Sequence, residues 1–177
     1  MKKLVIAPHI DDEILGTGGI LDTNTHVVYC GHDESHIPNR PSSKERLLEA
    51  KKVSDFCGHS YELLNNIINN YSVTCLIQSF ESVINRTKPD EIYIPYPSYN
   101  QDHRVVYNDY TDNINATFKP NYFVPIDIER KISAYKIMAS QVRSFRSPKL
   151  LKSMAYIRGK QSNVKYAEAF QIIRWVS

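Results

Sequence analysis

The amino-acid sequence predicts a three-layer α/β fold with a mostly parallel central sheet. Short apolar runs that suit buried strands alternate along the chain with longer amphipathic stretches. This alternation is typical of parallel strands joined by helices, because each crossover packs a helix onto a face of the sheet. Four runs predict strands of this sheet, at residues 4–7, 25–30, 61–64 and 91–95.

Apolar residues at helical spacing predict the helices between these strands. The first helix should begin inside the acidic segment after residue 7 and run through residue 20. The next should span residues 43–56, with a serine at its start and Gly58 near its end. Further helices are expected at residues 72–86, 127–142 and 148–158. We expect a polar loop at residues 32–42, an aromatic connection after Phe118, and a late strand within residues 166–175.

Length and composition exclude several classes of protein. The 177 residues fit one domain, expected to span residues 1–177, because no linker-like segment divides the chain. The formal net charge is only +3 and the basic residues are scattered, which disfavours nucleic-acid binding. No stretch has the length of a membrane span or a signal-peptide core, so a cytoplasmic protein is expected. The three cysteines form no C-x-x-C pair and are expected to be reduced core residues.

A group of polar side chains follows the first predicted strand directly. It contains His9, Asp11, Asp12 and Glu13. Carboxylates this close repel one another and raise each other's pKa unless a cation shares the site. A histidine three positions from an aspartate suits a metal ion such as zinc. The segment therefore predicts a metal-binding active site, although a helix with acids in its first turn is a simpler alternative.

A second polar cluster, Asn100, Gln101, Asp102 and His103, follows the fourth predicted strand. Two prolines precede it, so the cluster should start on a loop, and Asp102 could cap the next helix. The cluster could supply a third protein ligand. Two histidines and one carboxylate leave a coordination position open, which distinguishes a catalytic zinc from a structural zinc closed by four ligands.

The two motifs together resemble those of the phosphatidylinositol-glycan class L or LmbE-like zinc N-deacetylases. Members of this family carry A-H-P-D-D-E early and H-x-D-H later, and the chain reads P-H-I-D-D-E at residues 8–13 and N-Q-D-H at residues 100–103. Other matches follow in the family's order. They are Arg46-x-x-Glu49, Lys131-x-x-Ala134 with Ser140-Gln141, Arg158-Gly159, and Y-A-E-A-F at residues 166–170.

The resemblance implies a Rossmann-like fold of the LmbE type, with a metal at the carboxyl edge of the sheet. It implies that His9, Asp12 and His103 bind Zn²⁺ or another divalent metal, while Asp11 is the general base and Glu13 supports the ligands. The implied reaction is hydrolysis of the N-acetyl group of an N-acetylglucosamine-type sugar, free or attached to a carrier. Metal-activated water would attack after Asp11 removes its proton.

Three further residues are expected on the substrate side of this site: Asn100, Asp102 and Arg46. Asn100 departs from the family, because it occupies the position of the first histidine of H-x-D-H. Asparagine can donate a neutral hydrogen bond but cannot transfer a proton near neutral pH. Tyr96 and Tyr99 are candidate replacement donors. For Arg46, an ion pair one turn along its helix with Glu49 is the alternative role.

Two other functions compete with deacetylation. One is a non-catalytic protein that binds a sugar or metabolite and keeps the metal site. The other is a nucleotide-binding protein, which is disfavoured because residues 16–19 do not complete G-x-G-x-x-G and would place phosphates beside carboxylates. His32 and His36 flank two acids and could suggest another metal site, but we interpret them as solvated loop residues.

Overall fold

Four parallel strands form the central sheet in a computed structural model that describes residues 1–34, 37–38, 41–97, 100–108 and 118–175. They are β1 (Lys3–Ala7), β2 (Thr25–Asp33), β3 (Ser60–Ile67) and β4 (Glu91–Tyr93). They lie in the order β3-β2-β1-β4, and every neighbouring pair is parallel. Strands β2 and β3 thus lie on one side of β1, and β4, which follows them in the chain, lies on the other side. In open α/β sheets such a reversal of strand order marks the crevice where ligands bind, which here corresponds to the carboxyl ends of β1 and β4.

Helices cover both faces of the sheet, which confirms the three-layer α/β prediction. They are α1 (Asp12–Thr17), α2 (Ser43–Cys57), α3 (Val73–Thr87), α4 (Gln101–Asn108), α5 (Ile128–Ile137) and α6 (Pro148–Gln161). One apolar core, which includes Val5 and Tyr29, lies between the sheet and α1, α2 and α5. A second core, with Leu4 and Phe80, lies between the other face and α3 and α4. Leu4 and Val5 enter different cores because successive strand side chains point to opposite faces.

Local sequence signals fix the ends of α2 as predicted. The Ser42 side chain accepts a hydrogen bond from the Glu45 backbone N–H at 3.2 Å, which caps the first turn. At the other end, Gly58 adopts a left-handed conformation with a φ of 85°, which glycine tolerates without steric cost. The third helix and the fourth strand also lie close to their predicted positions.

The predicted boundaries of three elements in the first half of the chain were wrong. Helix α1 ends at Thr17 and does not reach residue 20, because the Gly19 N–H donates to the Glu168 carboxylate at 2.8 Å. Strand β2 continues to Asp33, so His32 and Asp33 belong to a strand rather than to a loop. The extension is stabilised by β3, which also runs further than predicted and pairs with it up to Ile67.

The C-terminal third contains a second sheet, formed by the antiparallel strands β5 (Tyr122–Pro125) and β6 (Ala167–Phe170). Strand β6 confirms the predicted late strand, whereas β5 lies where only a connection was expected. The single helix predicted at residues 127–142 is in fact α5 followed by a 3-10 helix at Ala139–Gln141. Cys30 and Cys57 are buried and free, but Cys75 is exposed on α3, so its prediction as a core residue was wrong.

A buried ion pair attaches the second sheet to the rest of the fold. The Lys131 Nζ atom lies 2.5 Å from Glu168 Oε1 and also donates to the Leu15 carbonyl oxygen at 2.9 Å. The same Glu168 oxygen accepts from the Gly19 N–H, where any side chain would collide with Ile126. Glu168 of the Y-A-E-A-F segment is thus packed inside the fold. None of the helices in the described ranges is long and apolar enough to cross a membrane.

Candidate metal centre

The two sequence motifs meet at the crevice because their strands are neighbours. The carboxyl end of β1 leads into the turn before α1, and the segment after β4 leads into α4. The turn carries His9, α1 begins with Asp12, and the first turn of α4 carries His103. Their ligand atoms all lie within 4.8 Å of one another, which makes this a group that could hold a metal ion.

Two of the three donor-donor distances match those expected around a tetrahedral ion. Asp12 Oδ2 lies 3.3 Å from His9 Nδ1 and 3.2 Å from His103 Nε2. Two ligands that are each about 2.0–2.1 Å from a tetrahedral zinc ion are separated by about 3.3–3.4 Å. Two imidazoles and one carboxylate are also the donor set of many catalytic zinc sites. The donors therefore fit a divalent metal both in chemistry and in separation.

Hydrogen bonds within the cluster shift the pKa values of its members in opposite directions. Burial opposes protonation of His9, but the carboxylates of Asp102 and Asp12 outweigh it and raise the pKa of His9 to about 9. Burial would raise the pKa of Asp12, yet hydrogen bonds from His103 and His9 hold it well below its usual range. The site thus favours an anionic Asp12 carboxylate beside two imidazoles, and an anionic carboxylate is the form that binds a divalent cation.

Asp102 lies behind His9 and is completely buried, with an exposed fraction of 0%. Its Oδ2 atom is 3.0 Å from His9 Nε2 and accepts from the backbone N–H of Asn69 at 2.7 Å. A carboxylate in this position fixes the orientation of a ligating imidazole. The contact of Asp102 with substrate stays a prediction, while its hydrogen-bonded oxygen contacts His9, one of the metal-ligand candidates.

Asp11 is buried beside the metal-ligand candidates, in a strained backbone conformation with a φ of 142°. Its N–H donates to Glu13 Oε2 at 3.0 Å, and its own Oδ2 accepts from Arg146 Nη1 at 3.0 Å. Burial and the neighbouring Asp12 raise the pKa of Asp11 to about 6, against the opposing charges of Arg46 and Arg146. Burial and Asp11 likewise raise the pKa of Glu13 to about 8. Glu13 therefore shapes the turn that presents Asp11.

Asn100 is the residue that caps α4. Its Oδ1 atom accepts a hydrogen bond from the Asp102 backbone N–H at 2.8 Å, and its carbonyl oxygen accepts from the Arg104 N–H. The prediction that Asp102 caps this helix was wrong, because Asp102 is already inside the first turn. Asparagine is among the best capping residues. Of the candidate replacement donors, Tyr96 packs against the rings of Tyr107 and Phe118, and Tyr99 lies outside the described residues, as does His36.

Arg46 is buried on α2, with only 1% of its surface exposed. Within the described residues, its Nε and Nη1 atoms have no hydrogen-bond partner. The alternative ion pair with Glu49 is not formed, because the Glu49 carboxylate accepts from the Ser140 N–H at 2.8 Å and from the Ser140 hydroxyl at 2.6 Å. A buried guanidinium with unused donors can bind a ligand that offers oxygen acceptors.

Two features of the site were not identified from the sequence. Arg146, which contacts Asp11, belongs to no motif that the sequence analysis singled out. The backbone N–H of Asn69, which contacts Asp102, carries no sequence signal because every residue except proline has such a donor. Both features come from segments far from the motifs along the chain, so only the folded structure brings them to the site.

No family model and no curated protein sequence matches the chain, but solved structures share its fold. N,N'-diacetylchitobiose deacetylase from Pyrococcus horikoshii is 23% identical, with a TM-score of 0.76 over 97% of this chain and 83% of that one. The zinc-inhibited form of teicoplanin deacetylase Orf2 is 13% identical, with a TM-score of 0.71 over 96% of each chain. GalB, the 4-carboxy-2-hydroxymuconate hydratase of Pseudomonas putida KT2440, is 19% identical, with a TM-score of 0.80 over 100% of this chain and 98% of that one.

The chain has the LmbE-like fold. This confirms the fold that the sequence motifs implied, and it agrees with a crevice at the carboxyl ends of parallel strands. The solved proteins with this fold include two deacetylases and a hydratase, so the LmbE-like fold by itself does not decide the reaction. The chemistry has to be argued from the residues in the crevice.

Proposed function

We propose that the chain is a zinc-dependent N-deacetylase that acts on an N-acetylglucosamine-type amino sugar or its conjugate. The observation that carries the proposal is the meeting of His9, Asp12 and His103 beside the buried carboxylate of Asp11. These three residues would hold a divalent ion and leave it accessible to a reacting group. The deacetylases with the same fold, one of them named for a diacetylated sugar, support this choice of substrate.

Each residue of the site has a distinct role in this proposal. His9, Asp12 and His103 would hold the ion, and Asp102 would orient His9. The chemistry that zinc supplies when bound is the activation of water and the polarisation of a carbonyl group. Asp11 would accept a proton from the attacking water and deliver it to the amine nitrogen as the C–N bond breaks. The products are acetate and a free amine.

The environment of Asp11 suits a general base. A base works best when its pKa lies near the working pH, and burial raises the pKa of Asp11 to about 6. Arg46 lies on α2 with two donor atoms that have no partner among the described residues, and it would bind oxygen atoms of the substrate. Asn100 would donate a neutral hydrogen bond through its amide while its Oδ1 atom caps α4.

Metal analysis and an acetate-release assay across N-acetylated sugars test the proposal. We expect about one zinc ion per chain, lost when His9 or His103 is replaced by alanine. Asp11→Ala should keep the metal and lose about 10²-fold or more in kcat. Asp55→Ala, which removes an exposed carboxylate on α2, is the matched control and should behave like the wild type.

Four results would contradict this proposal. A protein that cannot be loaded with any divalent metal would reject the site. Turnover that is unchanged in Asp11→Ala would reject the base. Metal and sugar binding without acetate release would favour a non-catalytic binding protein, whereas addition of water to a substrate without acetate release would favour a hydratase.

A further inference from the structure

Arg146 reaches the proposed catalytic base from a segment that the metal motifs do not include. It lies in the connection between the 3-10 helix Ala139–Gln141 and α6. Its Nη1 atom donates to Asp11 Oδ2 at 3.0 Å, across 135 positions of sequence. The Asp11 side chain is only 5% exposed, whereas that of Arg146 is 33% exposed. Arg146 therefore links a buried carboxylate with the solvent-facing side of the site.

The backbone of Arg146 is held firmly at the edge of the core. Its N–H donates to the Arg143 carbonyl oxygen at 3.0 Å, which closes a tight turn. Its carbonyl oxygen accepts from the hydroxyl of Tyr135 at 2.7 Å, and Tyr135 is fully buried. The guanidinium lies 5.6 Å from the ring centre of Phe145, within the range of a cation–π contact. These contacts restrict where the guanidinium can lie.

The contact with Arg146 restricts the Asp11 carboxylate in a way that the turn around Asp11 does not. The backbone of Asp11 is held in its unusual conformation by the hydrogen bond to Glu13, but that bond does not fix the side chain. A carboxylate has two equivalent oxygens, and a general base must present one of them to the proton that it removes. A guanidinium bound to Oδ2 restricts the rotation of the Asp11 side chain and leaves Oδ1 for proton transfer.

We propose that Arg146 is a positioning residue for Asp11, which sets the orientation of the base in the reaction proposed above. This inference rests on the proposed function for its catalytic consequence. Its structural part, the constraint of one carboxylate by one guanidinium, does not depend on the substrate. A misplacement of a reacting group by about 1 Å can lower a rate by about 10²-fold, so a positioning role predicts a measurable effect on kcat.

Arg143 provides a matched control for Arg146. It belongs to the same turn, and its guanidinium lies 6.0 Å from the centre of the same Phe145 ring. The described contacts of Arg143 do not include Asp11. Replacement of either arginine by methionine removes one positive charge and keeps a long side chain. A difference between the two variants therefore reports the contact with Asp11 and not the charge of the turn.

Steady-state kinetics on an N-acetylated sugar give the first test. We expect Arg146→Met to lower kcat by about 10- to 100-fold with KM changed less than about threefold. Arg146→Lys should restore part of kcat, because lysine supplies the charge without the planar donor, and added guanidinium ion should raise kcat of Arg146→Ala. Arg143→Met should stay within about twofold of the wild type. Equal losses in both methionine variants, or unchanged kcat in Arg146→Met, would overturn the proposal.

A double-mutant cycle measured by urea denaturation tests the contact between Arg146 and Asp11 without measuring catalysis. The urea midpoint should fall in Arg146→Met, and this shift should shrink in an Asp11→Asn background, where the carboxylate charge is gone. Equal shifts in both backgrounds would overturn the constraint on Asp11. If the wild type releases no acetate, the deacetylase proposal is rejected. The double-mutant cycle then still tests whether Arg146 constrains Asp11.

Discussion

The Oδ2 atom of Asp102 lies 3.0 Å from Nε2 of His9, while Nδ1 of the same ring faces Asp12. The His9 ring is therefore held on one side by a buried carboxylate and directed on the other side into the metal-ligand candidates. Metal-bound histidines commonly donate their second ring N–H to such a carboxylate, which fixes the tautomer and raises the basicity of the ligand. His9 and Asp102 come from opposite sides of the topological crevice between β1 and β4.

Replacement of Asp102 by asparagine should weaken metal binding. The His9 ring would lose its carboxylate acceptor, and we expect the zinc affinity to fall by about 10- to 100-fold. Competition with a chromophoric chelator measures this change. Asp90→Asn is the control, because Asp90 is an exposed carboxylate that binds the Lys2 N–H. An affinity equal to that of the wild type would show that Asp102 does not support His9.

The role of Asn100 can be divided between capping and catalysis. Serine is also a good capping residue but lacks the amide donor. We expect Asn100→Ser to keep the stability of the wild type and to lose about 10²-fold in kcat, as when an oxyanion donor is removed. Asn100→Ala should lose activity and also about 1 kcal/mol of stability. Wild-type kcat in Asn100→Ser would limit this residue to a capping role.

The buried pair of Lys131 and Glu168 should be a large local contributor to stability. Loss of one partner leaves an unpaired buried charge, so we expect Lys131→Met to cost about 3–5 kcal/mol in the free energy of unfolding. The double variant Lys131→Met, Glu168→Leu should be more stable than Lys131→Met alone. Urea denaturation measures both. A small effect of Lys131→Met, similar to that of Asp55→Ala on the surface, would contradict this expectation.

His59 should make stability depend on pH. Burial, with the nearby charges of His26 and Arg130, lowers the pKa of His59 to about 4. Its pKa in the unfolded chain is about 6.5, so between these values the unfolded state binds more protons. The free energy of unfolding should therefore fall as the pH decreases from about 6.5 to 4, with a slope of up to about 1.4 kcal/mol per pH unit from this residue.

Urea denaturation of the wild type and of His59→Gln at several pH values isolates this contribution. The raised pKa of His9 acts in the opposite direction, because its stabilisation is complete below about pH 6.5 and is lost toward pH 9. Both proteins share that effect, so it cancels in the difference between them. Parallel pH profiles for the two proteins would show that His59 titrates normally.

Local patterns in the sequence predicted the central layers of this protein. The strand at β1 and the helix at α2 follow from apolar spacing and from capping residues, which act over a few positions of the chain. The order of the motifs also indicated that His9, Asp12 and His103 belong to one site. The antiparallel partner β5 was missed because its pairing with β6 joins segments more than forty positions apart, and no local pattern encodes that pairing.

The sequence by itself determined the residue types of the site, because donor chemistry depends only on which side chains are present. The tertiary structure decided how those residues are used. It placed Asp102 behind His9, assigned the cap of α4 to Asn100, and brought Arg146 to Asp11. These relationships depend on the strand order β3-β2-β1-β4 and on the packing of the C-terminal third. They are set by contacts between distant segments, which the linear order of residues does not specify.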